Sequence, residues 1–314
     1  MERSPAELVF EDFTIPGTTV VMKRLVNFSH PRIPKIDPGY LFRQDLVEEV
    51  AYSVTRGCNT LLVGDTGTGK TSLIEQLAAQ LNRPCRRINV NSQTDPAILL
   101  GRDKPREIDG VRSLEYVWGP LPEMMATPYA FFILDEIDAA QAGVVLCLQQ
   151  MLERGGALTL EDANATIVRR AEGFCFFGTA NSMGIAGRHR LMYAGTQRVN
   201  EATFDRFDLV MHVKEMDAKS EEEVIARNAV ELDRDFVKAI VKIAREVREQ
   251  LKDDQLSCTF STRRCIQWAQ AMCQVSASAP FHPLRAARLT VLNKLNAEDF
   301  KVLEGVITRY FGNP

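Results

Sequence analysis

The chain reads as an α/β protein: a parallel five-stranded sheet with helices on both faces, followed by a small all-α domain. Three observations predict it. From about residue 41 to 214, short apolar runs alternate with longer segments of helical period, the pattern of strands joined by crossover helices. A glycine-rich segment, Gly64–Thr71, stands between the first such run and the first helical segment. After about Met216 the strand-like runs stop and only the helical period continues.

Taken in order, residues 1–40 carry Pro5, Pro16, Gly17, Pro31, Pro34, Pro38 and Gly39 and read as an irregular lead-in, with a short strand at Thr19–Met22. The expected sheet strands are Thr60–Val63, Arg87–Val90, Ala130–Leu134, Gly173–Thr179 and Leu209–Val213. Phe131-Phe132-Ile133-Leu134 is apolar without alternation, as a strand covered on both faces should be. Ser220-Glu221-Glu222-Glu223 reads as a capping box, with Ser220 as N-cap and Glu223 reaching back. A second helix would align Phe236, Ile240, Ala244, Val247 and Leu251 on one stripe. A third begins near Ser261 and buries Ile266, Ala269 and Met272; others follow Pro283 and span about Ala297 to Tyr310. The expected partition is 1–40, an α/β domain at 41–216 and a helical domain at 217–314.

The 314 residues carry 38 Lys+Arg against 41 Asp+Glu, a net charge of −3, so no global positive field draws in nucleic acid. No stretch approaches the roughly 20 apolar residues that cross a bilayer, and the N-terminus lacks the apolar core of a secretory signal. Seven cysteines form an odd set without a Cys-x-x-Cys pair, and the four histidines are scattered. Buried thiols in a reducing compartment, hence the cytoplasm, are the expectation.

Chemistry concentrates in three places. Gly64-Asp65-Thr66-Gly67-Thr68-Gly69-Lys70-Thr71-Ser72 fits G-x-x-x-x-G-K-[ST], with a strand before it and Leu73, Ile74, Leu77 and Leu81 at helical spacing after it. Glycines let successive N–H groups face phosphates, and the helix adds its positive end. Lys70 then reaches the β- and γ-phosphates, and the Thr71 hydroxyl ligates Mg2+. The run Phe131–Leu134 ends in Asp135-Glu136, at the strand edge where open α/β sheets bind ligands. Asp135 would hold Mg2+ through its water shell, and Glu136 would orient and polarise a water. Two adjacent carboxylates after four apolar residues are costly unless a cation neutralises them. Finally, Phe176-Phe177-Gly178-Thr179-Ala180-Asn181 ends in an amide that could hold that water, although Asn also ends strands for turn chemistry alone.

With those elements in order, the chain resembles an AAA+ P-loop ATPase of the MoxR group, and within it the ATPase subunit of aerobic cobaltochelatases (CobS type). The resemblance runs from about Ile36 to the C-terminus. It is carried by Ile74–Cys85, Leu100-Gly101-Arg102-Asp103, Tyr193-Ala194-Gly195-Thr196-Gln197, Asp205-Arg206-Phe207 and Tyr310-Phe311-Gly312. It implies ATP and Mg2+ as ligands and a homo-oligomeric ring, usually a hexamer, with each nucleotide between neighbours. Arg206 would be the arginine finger, with a salt bridge to Asp205 or Asp208 as its other reading. Arg263 would be the sensor of the helical lid domain, with Arg264 as rival. It further implies a protein partner, typically with a von Willebrand A domain. Asp65-Thr66 and Ile137-Asp138-Ala139-Ala140-Gln141 depart from the cobaltochelatase pattern, the second toward general MoxR usage.

Two insertions and a loop bear on output. Residues 92–120 carry an Asp109-Gly110 turn between strand-like arms, and residues 156–168 read as another hairpin, Leu158–Leu160 with Thr166–Val168. The polar loop Gly184–Asn200 holds Arg188, His189 and Arg190, which could meet a partner, a neighbouring subunit or water. A nucleic-acid motor would use Lys104, Arg106 and Arg112; Glu107, Asp109 and Glu115 in the same segment argue against it. A MoxR-type chaperone for another metalloenzyme and a monomeric nucleotide-binding switch or kinase are the remaining alternatives.

Overall fold

The computed structural model describes residues 8–108, 111–153, 155–181, 205–252, 256, 259–273 and 281–312. By mutual contacts the chain forms two units: Met1–Ile36, Phe42–Gly64 and Gly69–Val213, and then Asp37–Leu41, Asp65–Thr68 and Lys214–Pro314.

The first unit opens with β1 (Val9–Thr14) and β2 (Val21–Val26), an antiparallel hairpin. This corrects the expected irregular lead-in: the strand begins at Val21 rather than Thr19, and it has a partner. Ile15, Met22 and Leu25 are buried. Next come α1 (Gln44–Arg56), β3 (Thr60–Val63), α2 (Lys70–Gln80), β4 (Cys85–Asn89) and the single turn α3 (Pro96–Leu100). The arms β5 (Gly101–Ile108) and β6 (Val111–Trp118) pair antiparallel over their whole length; the Asp109-Gly110 turn lies outside the described residues. After α4 (Pro120–Met125), β7 (Phe131–Asp135) and α5 (Ala142–Leu152), a second hairpin joins β8 (Ala157–Leu160) to β9 (Thr166–Arg169). The unit closes with β10 (Cys175–Ala180) and β11 (Leu209–His212).

The central sheet runs β11–β3–β10–β7–β4, all parallel. Phe132, Leu134 and Phe176 face a core shared with Leu121, Met124 and Leu148 of α4 and α5. On the opposite pleat, Phe131 meets Phe177 edge to face at 5.3 Å. All four rings are fully buried, so the strand is apolar throughout, and each contributes about 1.5–3 kcal/mol of transfer free energy.

The second unit is helical: α6 (Ala218–Asn228), α7 (Arg234–Lys252), α8 (Thr262–Cys273), α9 (Pro283–Thr290) and α10 (Ala297–Phe311). Its core gathers Val237, Ile240, Val247, Trp268 and Leu303. Two expectations need correction. The N-cap of α6 is Asp217, whose carboxylate accepts the Ser220 N–H at 3.0 Å and the Ser220 hydroxyl at 2.6 Å, so the helix starts ahead of Ser220. Glu223 binds Arg227 at 3.0 Å instead of reaching back. On α7 the buried stripe is Val237, Ile240, Val241, Ala244 and Val247; Phe236 is 38% exposed and stacks on Phe311. On α8 the buried residues are Cys265, Trp268, Ala269 and Met272, with Ile266 at the margin. Beneath them, Arg248 and Glu221 form a buried bidentate pair, and the Thr262 hydroxyl donates to the same carboxylate at 2.8 Å. Among the described residues no helix is long and apolar enough to cross a membrane.

Candidate nucleotide-binding site

The site is built where β3, β7 and β10 end. Gly64 follows β3, and its N–H donates to Ala180 O at 3.2 Å, which ties the loop to the last residue of β10. Gly67 and Gly69 have φ of +85° and +92°, a left-handed conformation that costs a side chain free energy. A Cβ on Gly67 would also lie 2.5 Å from the Ser261 Cβ. Asp65 and Thr66 are exposed, and Gly67, Thr68, Thr71 and Ser72 are half-buried. Residues Asp65–Thr68 line a pocket with Glu215, Met216, Arg248, Ser261 and Thr262, all within the second unit.

Lys70, the first residue of α2, is 7% exposed. Its Nζ donates to Gly64 O at 2.5 Å and to Asn181 Oδ1 at 3.0 Å. The Thr71 hydroxyl donates to Asp135 Oδ1 at 2.8 Å, and the Thr179 hydroxyl donates to the same oxygen. Arg87, on β4, pairs with Asp135 Oδ2. Glu136 follows at φ +62°, a strained setting for a residue with a side chain, of order 1–3 kcal/mol. Its N–H donates to Thr179 Oγ1 at 3.1 Å. The Asn181 N–H donates at 3.0 Å to Asp138 Oδ2, a carboxylate with 0% exposure. The tips of β7 and β10 are thus cross-linked by three hydrogen bonds, with Glu136 and Asn181 held beside them. Glu75, one helical turn after Thr71, has its carboxyl pKa raised by burial, drawn back by Arg87 and raised further by Asp135.

The first unit therefore brings together Lys70, Thr71, Asp135, Glu136 and Asn181. Arg206 lies apart in the chain, half-buried on the turn before β11, where Phe207 packs 6.1 Å from Phe176. Its neighbour Asp208 accepts the Asn59 N–H at 2.7 Å. In the second unit Arg263 is exposed on the first turn of α8, while Arg264 donates to Thr259 O at 2.5 Å. Residues 184–200, including Arg188, His189 and Arg190, lie outside the described residues. The described cysteines are free thiols, and burial pushes Cys175 up to about 11 and Cys147 up to about 12.

The residues present fit a magnesium nucleotide. A hydroxyl and a carboxylate form the hard oxygen set that Mg2+ takes, beside a largely buried amine and a loop whose glycines sit at positive φ. Three polar contributors escaped the sequence reading: Arg87, Asp138 and Thr179. Their signals were slight. Thr179 lies two residues before Asn181 on the same pleat, Asp138 is a carboxylate among Ile137, Ala139 and Ala140, and Arg87 is a charge inside a strand.

A glycine loop leading from a parallel strand into a helix, with a carboxylate on the tip of the next strand but one, defines the P-loop nucleotide-binding class. Residues 59–207 match the AAA domain family of the dynein-related subfamily, and residues 221–308 match the CbbQ/NirQ/NorQ C-terminal family. The chain belongs to the AAA+ ATPases of the MoxR group. It is 31% identical over 284 residues to the aerobic cobaltochelatase subunit CobS of a Sinorhizobium species, covering 89% of this chain and 83% of that one. It is 29% identical to an uncharacterized protein of Staphylococcus saprophyticus, over 83% of this chain and 93% of the other. Among solved structures, the RuvB Holliday junction branch migration motor of Thermotoga maritima superposes with a TM-score of 0.48 at 14% identity, over 90% of this chain and 75% of that one.

Proposed function

We propose that the protein is a ring-forming ATPase motor that couples Mg-ATP hydrolysis to remodelling or activation of a partner protein in the cytoplasm. One observation carries this reading: Lys70, Thr71, Asp135 and Asn181 converge by hydrogen bonds at the tips of three adjacent parallel strands. Residues 41–216 bind the nucleotide and 217–314 act as the lid. The N–H groups of Gly64–Thr71 cradle the phosphates, and Lys70 moves from its present acceptors to the β- and γ-oxygens. Bound Mg2+ supplies charge neutralisation on the phosphates; Thr71 and Asp135 hold it. Glu136 takes the proton of the attacking water, and Asn181 keeps that water in line. Arg206 acts on the pocket of a neighbouring copy in a homo-oligomer, where it serves hydrolysis rather than binding; Arg263, with Arg264 as the alternative, reports nucleotide state to the lid.

The similarity to a cobaltochelatase subunit supports a multi-subunit assembly, with a von Willebrand A protein as the expected partner and cobalt insertion or activation of another metalloenzyme as the output. A protein partner is favoured over nucleic acid by the β5–β6 hairpin, where Arg106 pairs with Glu115 and Arg112 lies 3.5 Å from Glu107. Those basic residues are already neutralised. The test is Glu136→Gln: turnover is expected to fall by about 10²–10⁴-fold while ATP stays bound and the partner is trapped for identification. Loss of ATP binding in that variant would remove Glu136 from its assigned role.

A further inference from the structure

We propose that Arg87 is an exchangeable counter-ion, pairing with Asp135 when no metal is present and moving to Glu75 when Mg2+ arrives. The inference rests on the Mg-ATP reading of the site and goes beyond it, to which cation partners Asp135 before the metal arrives. Asp135 is committed on both oxygens: Oδ1 receives the Thr71 and Thr179 hydroxyls, and Oδ2 receives the Arg87 guanidinium. Oδ1 is filled, and the lone pair left on Oδ2 lies beside the guanidinium, so a metal-bound water arriving there brings the divalent cation against Arg87. The Thr179 hydroxyl also accepts the Glu136 N–H, so its departure would undo the link between β7 and β10. Thr71 must stay, because it faces the same metal. Arg87 is free of both constraints: its side chain is 42% exposed, against 7% for Asp135, so it can swing without opening the core.

It also has somewhere to go. Glu75 lies on α2 four residues after Thr71, on the same helix face, within electrostatic reach of both Arg87 and Asp135. A guanidinium left on Oδ2 would sit beside an incoming divalent cation, and like charges at that range repel. Transfer to Glu75 removes the repulsion and neutralises a second half-buried carboxyl. Arginine suits the exchange because its planar fork binds either carboxylate in the same geometry and keeps its charge.

The test reads binding rather than turnover. Mg2+ is titrated into the protein in the presence of a fluorescent, non-hydrolysable ATP analogue, and thermal unfolding is followed in EDTA and in Mg2+ with nucleotide. R87Q is expected to lower the Mg2+ half-saturation point about five- to tenfold, as a competing cation is removed. It should also lower the unfolding temperature of the metal-free protein more than that of the loaded one. E75Q is expected to raise the half-saturation point, since Arg87 loses its alternative partner. An unchanged Mg2+ requirement in R87Q, with equal destabilisation of both forms, would make Arg87 a fixed structural pair and overturn the proposal. Should R87Q fail to fold, E75Q decides: an unchanged requirement overturns it. A wild-type protein without Mg2+-dependent nucleotide binding would overturn the nucleotide reading itself and this inference with it.

Discussion

Thr179 shows how one hydroxyl can set the geometry of two adjacent acidic residues. It donates to Asp135 and accepts from the Glu136 backbone, so it fixes both Asp135 Oδ1 and the left-handed turn at Glu136. Thr179→Val keeps the shape and removes both bonds. Turnover is expected to fall about 10–100-fold, the equivalent of a hydrogen bond to a charged group worth about 1.5–3 kcal/mol, with nucleotide affinity nearly unchanged. Thr179→Ser should restore most of the rate; steady-state kinetics beside nucleotide titration separate the two effects. An unaltered rate in the valine variant would show that the Glu136 turn holds itself. The convergence of Lys70, Thr71, Asp135 and Asn181 was legible because the phosphate chemistry that such a motif implies calls for those side chains at those spacings. Thr179 was not, because a β-branched residue inside an apolar strand reads as a strand former. Arg87 and Asp138 were hidden for a related reason: their partners are remote in sequence, so pattern alone does not pair them.

The start of α6 shows two signals competing over three residues. Asp217 and Ser220 are both good N-caps, and the Ser220–Glu223 spacing matches the capping-box template. Starting the helix at Ala218 wins because it places Glu221 on the inner face, where it meets Arg248 and Thr262. Asp217→Ala is therefore expected to cost about 1 kcal/mol of stability, and Ser220→Ala less, measured by denaturant unfolding. Equal losses would mean that the cap is shared. The Ser220 hydroxyl, then its N–H, hold the Asp217 carboxyl below its ordinary pKa. Its contribution is accordingly full above the ordinary carboxylate value and is lost as pH falls through the lowered folded value. The strands β3, β7 and β10 were easy to find because strands buried on both faces are continuously apolar; the edge strand β4, part-exposed and carrying Arg86 and Arg87, begins at Cys85 rather than at the expected Arg87. The hairpin β1–β2 was masked by the prolines and glycines that surround it.

On the proposed reading, a single copy holds most of the pocket and lacks the cation that offsets the charge of the transition state. Arg206→Ala should leave nucleotide affinity nearly intact while hydrolysis falls by about 10³–10⁵-fold. Mixing that variant with Glu136→Gln should restore some turnover, because each supplies what the other has lost; turnover that stays at the level of the separate variants would count against a pocket shared between copies. The N-terminal hairpin bears on how such copies are made. The Leu25 N–H donates to Leu81 O at 3.0 Å, the Asn82 amide donates to Leu25 O and Phe28 O, and Phe10 meets Tyr129 edge to face at 4.8 Å. The backbone thereby clamps the turn that follows the phosphate-loop helix, and Tyr129 in turn lies under the guanidinium of the buried Arg83 at 5.5 Å. Cutting the polypeptide back to residue 59, where the AAA domain match begins, would strip that clamp and let water reach an arginine packed among rings, so a shortened version should aggregate where the intact one stays dispersed.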